Sequence, residues 1–301
     1  MWAALWAVYI IWGSTYLFIA ITVETIPPLP AASTRFIAAG TILAGLVLRQ
    51  GGSMRVTRRE LGSCVLVGSL LPGGNAVLFF AEQRVPTGLA SLLIASVPLL
   101  VVLLRLWGRE TLRPKTLAGV AVGFAGVAVL LRPGGGATWA GVLLCMLSAS
   151  MWAVGSVAGA RLPMPRNSFA ATAWQMLAGG FLMLPWAIAD SGGISPSPGS
   201  VLAWVYLVTI GSIVGYTAYT WLLTHAPLST TSTYAYVNPV VAILLGAIFR
   251  GEHLTAQILV GAAIVVLAVA VVVRQEPPSA STPEEGALGR EGDLVRPDRR
   301  A

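Results

Sequence analysis

Residues 236–261 read YVNPVVAILLGAIFRGEHLTAQILVG, and residues 96–119 read SVPLLVVLLRLWGRETLRPKTLAG. Each sets a proline into an apolar run that otherwise favours helix. Proline has no N–H to donate to the preceding turn, so inside a helix it frees a carbonyl and bends or breaks the rod. That the same phrase occurs twice is the more informative fact. Pro86 aligns with Pro227, Pro98 with Pro239, Leu112 with Leu254 and Gly119 with Gly261, at offsets of 141 to 142. Upstream, Trp12 aligns with Trp152, Phe36 with Met176 and Gly40 with Gly180, at an offset of 140. A nearly constant offset over this length indicates a duplicated unit.

Composition states what kind of unit was duplicated. Of 301 residues, 56 % are hydrophobic and only 10 % charged, with a mean hydropathy of +0.78; a soluble domain carries about a quarter charged residues. Apolar runs alternate with short polar breaks, and about 20 apolar residues cross roughly 30 Å of hydrocarbon. Ten spans are expected, over 2–22, 30–48, 61–81, 86–106, 115–131, 137–160, 168–189, 201–223, 228–249 and 254–273. The runs lack the period-2 alternation of a barrel strand, and lipid admits only helices or closed barrels. The expected fold is an all-α polytopic membrane protein in contact with lipid.

The N-terminal run lacks a charged leader and reads as the first span rather than a signal peptide. Cys64 and Cys145 fall inside apolar runs and act as small hydrophobes. Beyond the spans, 274–301 is rich in Pro, Glu and Arg and is expected to be a disordered cytoplasmic tail. The net charge of +7 is accounted for by loop Lys and Arg, without a nucleic-acid partner.

Cytoplasmic loops are enriched in Lys and Arg. With the N-terminus inside, the inner loops hold Arg49, Arg55, Arg58, Arg59, Arg105, Arg109, Arg113, Lys115, Arg161 and Arg166, and the outer loops only Arg84, Arg132 and Arg250. Both termini are then cytoplasmic. Five spans per copy is an odd number, so the second copy enters from the opposite side. Two inverted five-helix repeats, 1–132 and 137–273, follow. Inverted repeats characterise secondary transporters with a midplane site between halves, and Pro98 and Pro239 would be paired hinges.

WGSTY at 12–16, the Arg35–Phe36 pair and NPVVAILLGAIFRGEHLTAQILVGAAIVVLAV resemble the EamA family of the drug/metabolite transporter superfamily, over approximately residues 2 to 273. The resemblance implies the ten-helix inverted-repeat fold and transport, frequently export, of small metabolites or amino acids. The nearest likeness is to exporters of aromatic and neutral amino acids. The expected location is a bacterial inner membrane.

Polar groups within spans usually face the bundle interior. A central cavity lined by Trp12, Tyr16, Asn75, Trp152, Gln175, Tyr219 and Asn238 is expected to take a small zwitterion. Several of these residues have a plainer reading. Trp12 and Trp152 could serve packing or an interfacial belt. Asn238 either meets substrate or satisfies the carbonyl freed by Pro239. Gln175 makes either a substrate contact or an interhelical hydrogen bond. Tyr216 and Tyr219 share a face, as do Tyr234 and Asn238. Glu82, beside Arg84, reads as a surface carboxylate in preference to a protonation site. Arg35 reads as snorkelling to the outer surface, with a carboxylate partner as the alternative. The Gly119/Gly123 pair is expected to pack helices within a monomer, with dimerisation as the other possibility.

Other chemistry finds no support in the sequence. His225 and His253 are isolated, so no metal is expected. No phosphate-binding loop implies ATP as driver, no cofactor is called for, and no nucleophile–base arrangement suggests an enzyme. Against the transporter stands a membrane scaffold or channel component, which leaves the duplication without a role.

Overall fold

The computed structural model describes residues 1–130, 137–226 and 233–275, and every regular element among them is helical. The first half comprises α1 (Trp2–Thr22), α2 (Pro28–Arg49), α3 (Arg58–Glu82), α4 (Thr87–Ile94), α5 (Val97–Trp107) and α6 (Pro114–Leu130). The second comprises α7 (Trp139–Arg161), α8 (Ser168–Ala189), α9 (Pro198–Tyr206), a π-helical segment (Leu207–Val214), α10 (Gly215–His225), α11 (Tyr234–Arg250) and α12 (Ala256–Gln275). α4 and α5 form one crossing; α9, the π segment and α10 form another. Seven crossings are long and apolar enough to span a membrane by length and composition, α6 and α11 are shorter apolar helices, and α8 has 22 residues. The described residues therefore make ten crossings. The tail expected at 274–301 lies almost wholly outside the described residues, as do Arg132 and Pro227.

Helices begin where the sequence supplies a stop for their free amides. Thr57 and Glu60 form a reciprocal capping box on α3, and Asn167 Oδ1 accepts from Phe169 and Ala170 at the head of α8. Thr138 and Ser197 cap α7 and α9. α2, α6 and α9 open on prolines, whose missing N–H costs nothing in a first turn.

Packing between the halves carries an internal two-fold. A Cβ at Gly40 in α2 would lie 2.9 Å from Leu177 in α8, and one at Gly180 in α8 would lie 2.8 Å from Ile37 in α2. Shifting either contact by 140 residues generates the other. α6 and α12 repeat the pattern at an offset of 142: Gly119 packs on Val272 and Gly261 on Leu130, while Gly123 packs on Ala268 and Gly126 on Val265. In both pairs, residue numbers fall along one helix as they rise along its partner, so the helices are antiparallel. A two-fold relating antiparallel neighbours runs perpendicular to them, hence in the membrane plane, and the second half is an inverted copy of the first. The Gly119/Gly123 stripe thus serves close packing within the chain.

The two ends of the bundle differ in charge. At one end Glu110 Oε2 meets Arg105 Nε at 2.8 Å and its Oε1 meets Arg161 Nη2 at 2.6 Å, while the Trp174 indole donates to Met54 O at 3.1 Å. These contacts gather the three Arg-rich loops on one face. At the other end Arg250 meets Glu24 at 2.6 Å, Ser197 N donates to Thr25 Oγ1, and Thr138 N donates to Arg84 O. Exposed Trp2 and Trp107 ring the basic end; Trp139, Trp186 and Phe249 ring the other. Amphipathic rings favour the headgroup level, so these mark the two interfaces.

The paired prolines behave differently. The fourth crossing is interrupted at Ala95–Ser96, just before Pro98, where both residues keep α-like φ but ψ rises to −10°. The break is a shallow tightening of one turn. α11 runs unbroken through Pro239.

Candidate functional site

α1, α10 and α11 meet in a cluster of aromatic rings. Trp12 lies 5.0 Å from Tyr219, 5.1 Å from Tyr234 and 5.6 Å from Tyr216, centroid to centroid, and Tyr219 meets Tyr234 edge-on at 5.7 Å. The Trp12–Tyr219 pair is tilted and the other three are edge-to-face, which sets positive ring edges against negative faces. One turn beyond Tyr234, Asn238 is buried and its Oδ1 has no hydrogen-bond partner among the described residues. The structural reading of this side chain concerns its amide nitrogen, so the oxygen is an acceptor that role does not use.

A second group lies alongside. Arg35 of α2 is only 4 % exposed, which corrects the expectation that it snorkels to the surface. Its Nη1 donates to Asn75 Oδ1 at 3.1 Å and its Nε to Ser212 Oγ at 3.3 Å, and its guanidinium sits 5.1 Å from the Phe36 ring. Among the described residues no carboxylate lies within ion-pair distance of it. A guanidinium has five N–H donors, so these two partners leave capacity for a carboxylate.

The two groups share one stripe of the eighth crossing. A Cβ at Gly211 would lie 3.7 Å from Arg35 Nη2, and one at Gly215, a turn later, 2.6 Å from Trp12 Nε1. The glycines let the indole and the guanidinium approach the same backbone. They do so where the helix widens to π geometry over 207–214, with Ser212 Oγ bonded to Leu207 O. Such π segments occur frequently at functional sites. The motif GSIVGYTAY at 211–219 carried the signal as a small-xxx-small pair beside two tyrosines.

Of the seven expected residues, the structure brings Trp12, Tyr219 and Asn238 together and sets Asn75 beside them through Arg35. Tyr16 lies one turn from Trp12 and packs against the main core. Trp152 and Gln175 fall elsewhere. Trp152 of α7 rests against Gly74 of α3, 3.1 Å from a Cβ placed there, and Gln175 of α8 turns its Nε2 toward Met164 Sδ at 3.8 Å. Tyr216, Tyr234, Arg35 and Ser212 belong to the arrangement in addition. Glu82, read as a surface carboxylate, is 6 % exposed. Among the described residues no three His, Cys, Asp or Glu side chains gather to hold a metal.

Comparison with known proteins supplies the last observation. The pattern of the EamA-like transporter family matches the chain twice, over residues 1–132 and 139–274. The uncharacterized inner membrane transporter YedA of Escherichia coli K12 is 38 % identical over 278 residues, covering 90 % of each chain. Protein PecM of Dickeya dadantii is 30 % identical, over 87 % of this chain and 88 % of its own. A solved crystal structure at 24 % identity superimposes with a TM-score of 0.66, over 90 % of this chain and 96 % of the other, and is a likeness of fold.

Proposed function

This chain belongs to the EamA-like transporter family, and on that premise we propose that it is a secondary transporter exporting neutral or aromatic amino acids across a bacterial inner membrane. Transport proceeds by alternating access at a site between the two inverted repeats. The observation that carries this reading is the buried Arg35 guanidinium, without a carboxylate partner among the described residues, on the same glycine stripe as the Trp12 cluster. Arg35 receives the substrate carboxylate in a charge-assisted pair, stronger than a neutral hydrogen bond. The rings of Trp12, Tyr216, Tyr219 and Tyr234 take an apolar side chain by area burial. They also attract an ammonium group by about 0.5 to 2 kcal/mol of cation–π energy. Asn238 Oδ1 accepts from the ammonium. Both termini and the Arg-rich loops face the cytoplasm, by the positive-inside rule.

A thermal-shift screen of amino acids on the purified protein tests the reading, since a ligand bound only to the folded state stabilises it by RT ln(1 + [L]/Kd). Zwitterions with apolar side chains should raise the unfolding temperature, the matching amines without a carboxylate should not, and Arg35→Gln should abolish the shift. Stabilisation that survives Arg35→Gln unchanged would overturn the carboxylate site.

A further inference from the structure

A second polar group lies two turns along α3 from Asn75, at the sparsely charged end of the bundle. Glu82 closes α3 there. Its Oε2 accepts from the Thr87 hydroxyl at 3.4 Å, and its Oε1 is buried with no hydrogen-bond partner among the described residues. It lines a cavity of about 250 Å³ together with Gln83, Arg84, Thr87, Arg250 and Glu252. Across the cavity Glu252, in the turn after α11, accepts from the backbone N–H of Thr87 at 2.6 Å and of Gly88 at 3.0 Å, one oxygen each. Its carboxylate caps the first turn of α4, where the helix dipole favours negative charge. This cap ties the second repeat to the first. Gly246 makes room for it, since a Cβ there would lie 2.5 Å from Glu252 Oε2.

The groups around Glu82 come from every neighbouring element. They are Thr87 of α4, Arg250 at the end of α11, Glu252 of the turn after it, Tyr16 of α1, Cys145 of α7 and Arg84 of the turn after α3. Arg250 is engaged by Glu24, and among the described residues no cation lies within ion-pair distance of Glu82. A carboxylate held charged in such a place keeps an unsolvated oxygen and faces a second carboxylate in low dielectric, both of which are costly. A proton on Oε1 removes both costs at once.

We propose that Glu82 is the proton-carrying group of this transporter and that its occupancy governs the tie between Glu252 and α4. A hydronium ion entering the cavity gives up its proton, so that one O–H bond breaks on it and one forms at Glu82 Oε1, leaving water; release runs the same transfer backwards. With Glu82 neutral, Glu252 holds Thr87 and Gly88 and this end stays closed. With Glu82 ionised, the two carboxylates repel and Glu252 leaves the helix, opening the end. A bistable element biased by one charge is how a local protonation becomes a global change. The role in transport rests on the transporter reading; the protonation and the tie are observable without substrate.

The full chain in lipid nanodiscs provides the test. Infrared difference spectra across a pH titration should show the carbonyl stretch of a protonated carboxyl, and Glu82→Gln should lose it. Hydrogen exchange of the peptide spanning 83–94, corrected for intrinsic rate, should lose protection as pH rises in the wild type and stay protected at every pH in Glu82→Gln. If Glu82→Gln does not fold, Glu82→Asp should shift the carbonyl band instead of removing it. A band that persists unchanged in these variants, or protection lost in parallel in wild type and Glu82→Gln, overturns the proposal. Protection restored at high pH by sodium chloride but not by choline chloride overturns it in favour of a metal cation. Failure of the amino-acid screen leaves these outcomes untouched, so the two readings fail separately.

Discussion

The turn at 108–110 in the first repeat and the turn at 250–252 in the second occupy equivalent places, yet their glutamates do different things. The backbones agree closely: Arg109 has φ 62° and Gly251 φ 63°, both left-handed, and each precedes a glutamate. At the basic end, Glu110 lies at the surface between Arg105 and Arg161. At the other end, Glu252 turns inward and caps α4. Duplication supplied one backbone twice, and the surrounding charge decided each carboxylate's partner. Where arginines crowd, the carboxylate pairs with them. Where they are sparse, it finds free amides, and the repeats become joined at one end in a way they are not at the other.

If that contrast is real, removing Glu252 should cost far more than removing Glu110. Glu252→Ala leaves two amides of α4 without acceptors, at about 1–3 kcal/mol for each buried unsatisfied group, and should lower the unfolding temperature in detergent by the largest margin of any variant discussed. A cost no greater than that of Glu110→Ala would erase the distinction. A second contrast concerns the repeat-related tryptophans. Trp12→Phe removes an indole that touches three tyrosines, each aromatic pair worth about 0.5–1.5 kcal/mol. Transport of an amino acid identified by thermal shift should fall several-fold, about what 1–2 kcal/mol implies. Trp152→Phe should cost less. Equal losses would restore the symmetric aromatic wall expected from the sequence.

Smaller effects test the shared backbone. A left-handed conformation costs a residue with a Cβ roughly 1–2 kcal/mol. Gly251→Ala should therefore destabilise by about 1 kcal/mol, and Arg109→Gly should be neutral or mildly stabilising, both by chemical denaturation. Destabilisation by both would mean that Arg109 contributes through its side chain.

The smallest effect is a pH dependence at the basic end. A hydrogen bond from Arg105, and then one from Arg161, hold the Glu110 carboxyl below the usual carboxylate range. Its stabilisation is present above the ordinary carboxylate pKa and lost as pH falls through the lowered folded value. Wild type and Glu110→Gln should differ slightly at neutral pH and converge on the acid side. Divergence there instead would remove the ion pair as the cause.

Much of the molecule could be read before any coordinates. The observed crossings begin and end within a few residues of the expected spans, except that the ninth starts at Tyr234 rather than 228, its first residues lying outside the description. Pro98 and Pro239 aligned perfectly and still behaved differently. A proline fixes the loss of one donor, and whether the helix then tightens or runs on is settled by what packs around it. Trp12 and Trp152 repeat the lesson: the alignment made them equivalent, but only Trp12 met tyrosines, because the eighth crossing carries Gly215 and Tyr219 where the third, 141 positions earlier, carries Gly74 and Leu78.

Arg35 and Glu82 show where sequence reading stops. In one dimension a charge near the end of an apolar run looks able to reach water, and the apolar run states how far the end is but not what covers it. Hydropathy and an odd number of spans per copy dictated the helices, their count and their inversion, since those follow from the cost of unpaired backbone groups in lipid and from topology. Burial of Arg35 beneath Ser212, and the cap that Glu252 sets on α4 beside Glu82, depend on contacts between residues 165 or more positions apart. Such contacts exist only once the two halves have closed on each other.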